Sequence, residues 1–296
     1  MLNQIERCCR YAERFGRRVI VDTSYKGART FRSPFYKYFV SMQEGLELRN
    51  AIPEAELNSM DVIPAVLKGR INNYDLQHDP VLRCRLDKLS RVPLTFDFSL
   101  DYDEDIVLHH QFGGGRLAIA ALQRLRLHDS LNDAFAERLQ MLPPDYHAVH
   151  VRHTDIKIDY AECLSNLAAR GIRDLFVATD NADVLAEFRN DMTGAFVHSF
   201  SELPQNDGKP IHLAPPWDIA ESRNRDAILD LLTLAAARHL TIPGATGANP
   251  KVRSGFGVLA EGLQKNKPVL RKLIGRLDVL AILERPSSPD TKPVSA

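Results

Sequence analysis

From Tyr146 to about residue 265 the chain alternates short apolar runs with amphipathic stretches, and this alternation restricts the fold more than any other feature. "HAVHVRH" reads as a strand, "YAECLSNLAARG" as a helix stopped by Gly171, and "IRDLFVATD" as a second strand. "NADVLAEFRND" follows as a helix and "GAFVHSF" as a third strand. After a proline-rich loop, 202–217, come a long helix from about Ser222 to Arg238, the strand "HLTIPG" and the helix "SGFGVLAEGLQ". Strands and helices of these lengths in alternation form parallel βαβ units. Ligands of such open sheets bind outside the carboxyl ends of the strands.

The first half is less regular. Leu2, Ile5, Cys8, Cys9, Ala12 and Phe15 recur at helical spacing before Gly16, and "RRVIVDT" reads as a short strand. Residues 24–100 are aromatic-rich and mixed. "EDIVLHH" reads as a strand entering the glycine turn and helix of "QFGGGRLAIAALQRLRL", with a helical connector to about Leu142 and a boundary at "PPDY". A chain of 296 residues suits two domains. The expected division is an N-terminal α/β domain with connector over 1–143, a second domain over 144–280, and a Pro/Ser-rich tail without fixed structure over 281–296.

Lys+Arg and Asp+Glu balance at 38 each, so the chain offers no net field for nucleic acid or an anionic membrane. No apolar run approaches the roughly 18 residues of a membrane span. Cys8, Cys9, Cys84 and Cys163 have neither disulfide-framework nor metal-ligand spacing, as in a reducing compartment. Glu6, Arg7 and Arg10 interrupt the N-terminal stretch, which therefore does not read as a signal peptide. The expectation is a cytoplasmic protein, with its oligomeric state unspecified.

The chemistry gathers at strand ends. Alternation puts Ala148, His150 and Arg152 on one face of the first regular strand, and Val149 and Val151 on the other. A buried guanidinium costs several kcal/mol unless an anion meets it. Arg152 therefore either reaches a ligand beyond the strand or is paired internally. Asp180 ends the next strand, where the plainer reading is a helix N-cap. For His150 the plainer reading is a satisfied core histidine. Asp230 and Thr233 are the only polar residues in "AILDLLTLAAA", a helix apolar nearly all round and therefore buried. Asp230, with Arg223 and Asp226 on one face, either bridges an arginine inside the domain or walls a polar ligand site. "RSGFG" opens the last helix, where Ser254 and the following N–H groups form a phosphate cradle or an ordinary N-cap. Together these features suggest a nucleotide-type site.

With these residues in place, the second half resembles the inverting fucosyltransferases of the α1,6- and protein-O-fucosyltransferase superfamily, the rhizobial nodulation enzymes among them. "HVRHTD" (150–155) is similar to the family's H-x-R-[RH]-x-D motif, whose arginine holds the β-phosphate of GDP-fucose. "FVATDN" (176–181) resembles its strand ending in A-T-D. "AILDLLTLAAARHLT" and "SGFGVLA" resemble its third motif, in which an aspartate and a serine contact the nucleotide sugar. The resemblance covers roughly residues 140–265 and extends weakly to the first helix and strand, with Met1 standing where the family's G-x-G-N loop ends. His153 stands where the α1,6-linking enzymes often carry a second arginine, and the link from 241 to Ser254 is longer than usual.

The resemblance implies an α/β fold of GT-B type, two Rossmann-like domains with the nucleotide-sugar site in the C-terminal one. It implies an inverting glycosyltransferase that moves fucose from GDP-fucose to a glycan acceptor, with no metal or cofactor. His150, Arg152, Asp180, Asp230, Ser254, Gly255 and Phe256 would bind the nucleotide sugar. Arg152 would stabilise the leaving diphosphate. Asp155, Asp159 and Glu162 follow closely enough to be the base, with a slight preference for Asp159. A GT-B enzyme using another GDP-sugar and a non-catalytic nucleotide-sugar or glycan-binding relative are the alternatives. "DYDED" (101–105) superficially suits a metal-dependent glycosyltransferase but reads better as a solvated acidic turn. "HHQFGGGR" (109–116) reads as a turn between domains rather than an anion nest, with His110 toward the cleft.

Overall fold

The computed structural model describes residues 1–23, 31–49, 52–113, 116–154, 158–203, 219–244 and 253–286. The chain forms two compact units, Met1–Arg126 and a second from Leu127 onward.

The first unit opens with α1 (Leu2–Phe15), closed by Gly16, and β1 (Val19–Val21). Short elements follow: β2 (Phe39–Ser41), β3 (Leu46–Leu48), α2 (Glu54–Leu57), β4 (Val62–Ile63), β5 (Leu76–Asp79), β6 (Cys84–Asp87), β7 (Ile106–Val107), α3 (Ala118–Gln123) and β8 (Leu125–Leu127). The strands associate in pairs: β1 with β3 and β4 with β7 in parallel, β5 with β6 antiparallel, and β2 with β8. Among the described residues of this unit the paired strands do not join into a single Rossmann-like sheet. Leu125 and Leu127 alternate inward at 0% exposure, so β8 interrupts the continuous helical connector expected there.

The second unit begins with α4 (Asp129–Gln140) and β9 (His147–Val151). It continues through α5 (Ala161–Ala169), β10 (Asp174–Thr179), α6 (Ala182–Asp191) and β11 (Phe196–His198). After α7 (Ala220–Ala236) and β12 (His239–Thr241) it ends in α8 (Gly255–Lys265), α9 (Lys267–Ile274) and α10 (Leu277–Leu283). One parallel sheet runs in the order β11-β10-β9-β12. The alternation of β9 sets its two faces. Val149 and Val151 pack with Leu164 and Leu167 of α5 and with Val184, Leu185 and Phe188 of α6. Ala148 and His150 point the other way, where His150 meets Phe256 of α8. Each aliphatic side chain buried there contributes about 1.5–3 kcal/mol.

Two boundaries differ from the sequence expectation. α4, expected in the first domain, belongs to the second unit: Asn132 Nδ2 donates to the Ile274 carbonyl at 3.0 Å, and Arg138 pairs with α7. The division therefore falls at Arg126/Leu127 rather than at 143/144. Residues 281–283, expected in the tail, complete α10, which Val279 anchors at 0% exposure. Arg285 beyond it donates to the Leu139 carbonyl at 2.6 Å. Residues 287–296, most of the proline-rich loop and Gly114–Gly115 lie outside the described residues. Among the described residues no helix is long and apolar enough to cross a membrane.

Candidate functional site

The sheet order places a switch point between β9 and β12. From β9 the chain builds outward to β10 and β11, then returns to lay β12 on the other side. Crevices at such reversals, at the carboxyl ends of the strands, are where open α/β sheets bind ligands. His150 and Arg152 arrive there from β9, and Ser254, Gly255 and Phe256 from the start of α8.

His150 joins these elements. Its Nδ1 lies 3.2 Å from the Ala178 carbonyl and its Nε2 3.0 Å from Ser254 Oγ. A carbonyl only accepts, so Nδ1 carries the proton and Nε2 accepts from the Ser254 hydroxyl. Burial pushes the imidazole down to about 4, so it stays neutral at pH 7. Ser254, 0% exposed, has its proton committed to His150, and the pair fixes the first turn of α8 against β9. The Phe256 ring lies 5.0 Å from the imidazole, centroid to centroid. A Cβ on Gly257 would fall 2.9 Å from both His150 Cδ2 and Ile242 Cγ2, so the glycine permits the close approach of α8.

Arg152 is half-buried one residue beyond β9. The loop carrying it is braced from β10: Asp180 Oδ1 accepts from the His153 N–H at 2.8 Å, and Oδ2 from Thr154 Oγ1 at 2.6 Å. The N-cap of α6 is instead Asn181, whose Oδ1 accepts from the N–H groups of Asp183 and Val184 at 2.8 and 3.2 Å. The plain cap reading of Asp180 is therefore corrected. The backbone turns one residue later than the sequence suggested, leaving Asp180 to the neighbouring loop. The His153 ring stands edge-on to Tyr160 at 5.1 Å, and Tyr160 donates to Glu187 at 2.7 Å.

Asp230 faces inward from α7. Its Oδ1 accepts from Arg138 Nη1 at 2.6 Å and its Oδ2 from Ser201 at 2.8 Å, while Arg138 Nη2 also reaches Asp226 at 3.1 Å. Phe200 lies under the guanidinium at 5.3 Å. Burial pushes the Asp230 carboxyl up to about 6, against the pull of Arg138 and Ser201. Of the two sequence readings of Asp230, the internal bridge is the one formed here.

Asp155 lies outside the described residues, and Asp159 and Glu162 are exposed near the start of α5. Thr154, Asn181, Gly257, Arg138 and Ser201 were not anticipated. Only the N-x-x-hydrophobic start of α6 carried a local signal for any of them. In the first unit, Asp105 Oδ2 accepts from the Asp61 N–H at 2.9 Å, as a loop residue before β7. His109 bonds Thr95 and Gln4, each at 2.7 Å, and His110 bonds the Tyr74 hydroxyl at 2.7 Å. Both histidines are therefore satisfied within the fold.

No sequence-family profile and no curated relative matches the chain. By fold it is similar to the fucosyltransferase NodZ from Bradyrhizobium, at 16% identity over 88% of each chain and a TM-score of 0.51. It is similar as well to the NodZ alpha-1,6-fucosyltransferase co-crystallized with GDP, at 16% identity over 88% of this chain and 87% of that one, with a TM-score of 0.52. The likeness shows a mixed α/β, GT-B-like fold containing a parallel sheet.

Proposed function

We propose that the protein is an inverting glycosyltransferase that moves fucose from GDP-fucose to a hydroxyl of a glycan acceptor, forming an α-linkage. The observation that carries this reading is Arg152 on a loop braced by Asp180 at the switch point of the parallel sheet. The likeness of the fold to an enzyme co-crystallized with GDP supports it. In this reading the guanidinium takes the diphosphate through its two-donor fork. Neutral His150 holds Ser254 and, with it, the first turn of α8 beside the nucleoside.

The acceptor oxygen attacks the sugar C1 as the bond from C1 to the β-phosphate oxygen breaks. The electron pair leaves with GDP, and the acceptor proton passes to a base. Asp155, Asp159 and Glu162 are the candidates, with Asp159 slightly preferred. Arg152 stabilises the charge that grows on the departing phosphate. The proposal assigns that charge to Arg152 rather than to a metal.

The test is GDP release from GDP-fucose by the full chain with EDTA, over a panel of glycan acceptors that includes chitin oligosaccharides. The expected result is acceptor-dependent release of GDP with an α-fucosyl product, identified by its anomeric proton. GDP-fucose bound and returned intact with every acceptor would contradict the proposal.

A further inference from the structure

A second polar groove, of about 290 Å³, opens at the opposite edge of the same sheet, between the amino ends of β9, β10 and β12. Two histidines form one wall. His147 and His239 are register partners on adjacent strands, so their rings leave the sheet on the same side. They stack with centroids 4.5 Å apart and planes at 30°. His147 Nδ1 is buried and meets no hydrogen-bond partner among the described residues. Being closed to solvent, that nitrogen is out of a ligand's reach, and the stacked pair offers the groove the rest of its ring surface.

The other wall is the turn between α5 and β10. Gly171, at φ +62, reverses the chain there and sets Arg170 and Arg173 on the rim. Among the described residues neither guanidinium has a carboxylate partner within ion-pair distance. Of the two acids at the groove, Asp174 is drawn to His198, whose Nε2 lies 3.2 Å from Oδ1. Asp145 lines the same groove and remains as an acceptor.

Two guanidiniums without a carboxylate partner among the described residues call for an oxyanion. An uncompensated carboxylate beside them calls for hydroxyl donors on the same ligand. The volume lies at the small end of ligand sites, about 300–1,000 Å³, and suits one sugar ring with one phosphate. We propose that this groove binds a sugar monophosphate. Arg170 and Arg173 hold the phosphate, Asp145 receives ring hydroxyls, and the stacked histidines wall the sugar. The site uses none of the residues of the proposed donor site and stands or falls independently of it.

Calorimetric titration of the full chain with glucose 6-phosphate tests the proposal, against inorganic phosphate and glucose as controls. The expected result is saturable binding of glucose 6-phosphate, weaker binding of phosphate and none of glucose. The double variant Arg170→Gln/Arg173→Gln, altered only at the surface, should lose about tenfold or more in affinity. Arg152→Lys, at the far end of β9, should bind it unchanged. Absence of saturable binding, or affinity preserved in the double variant, would overturn the proposal. So would loss in Arg152→Lys, or phosphate binding as tightly as the sugar phosphate.

Discussion

His150 Nε2 lies 3.0 Å from Ser254 Oγ, so a side chain of an inner strand is locked to the first turn of α8. With the proton of Nδ1 given to the Ala178 carbonyl, the pair leaves no spare donor. Ser254→Ala should therefore strand Nε2 and lower stability by about 1–3 kcal/mol. Gly257→Ala should cost a similar amount by overpacking, because its methyl would press on His150 and Ile242. Urea unfolding of both variants checks this. A Gly257→Ala protein as stable as the parent would show that α8 does not sit this close.

Acid should destabilise the fold through its buried histidines. Burial holds His150 and His109 down to about 4 and His110 to about 3, against an ordinary value of 6.5. As pH falls through 6.5 the unfolded chain takes up these protons and the folded one does not, so their stability, complete above 6.5, is lost down to about 4. Asp230 acts in the opposite sense. Its folded value of about 6 exceeds the ordinary 3.8, so its contribution falls as pH rises between the two. Burial also lowers His147 and raises Asp226, so four histidines stand against two carboxyls and set the net direction. Melting temperatures from pH 7 to 4.5 should decline, and imidazole nitrogen shifts should show His150 still neutral at pH 5.

The Arg138–Asp230 pair should matter more to stability than to shape. Asp230→Asn removes one charge of a buried pair and leaves Arg138 with half-buried Asp226 alone. A loss of about 3–5 kcal/mol is expected, toward the low end because Asp226 remains. The double change Arg138→Met/Asp230→Leu should be less damaging than the sum of its singles, since neither charge is left stranded. Thermal melts of the four proteins test this. Strict additivity would contradict a coupled pair.

Asp180→Ala should loosen the loop behind Arg152 more than it unfolds the sheet. It removes the acceptors of the His153 N–H and the Thr154 hydroxyl. Hydrogen exchange at the His153 amide should accelerate, with amides of β10 unchanged. If the His153 amide stays equally protected, the brace is not what holds that loop.

Much of the second unit was legible because its signals are local. The faces of β9 follow from two-residue alternation, and the cost of burying a guanidinium narrowed Arg152 to a strand end facing a ligand or an internal pair. The first unit was not legible, because strands of two to four residues such as β4 and β7 are too short to establish a period. β8 was hidden since Leu122 and Leu125 continue the helical spacing of α3, and three residues are too few for the alternation of Leu125 and Leu127 to stand out. Partners distant in sequence left no trace. Nothing around Arg138 indicates Asp230, and nothing in "ATDN" indicates that Asp180 turns to Thr154 while Asn181 takes the cap. The candidate residues were thus readable as residues, and the pairings that brace them only in three dimensions.

The central claim is that Arg152 meets the diphosphate of a nucleotide sugar. Calorimetric titration of GDP-fucose into the parent protein and Arg152→Lys, both in EDTA, tests it most directly. Lysine keeps the charge but loses the planar fork. The parent should bind GDP-fucose, and far better than it binds UDP. The variant should lose about tenfold or more in affinity, equivalent to about 1.4 kcal/mol, and roughly 10²–10³ in kcat where transfer is measured. Equal affinity in the two proteins, or binding to the parent that appears only when a divalent metal is restored, would contradict the account.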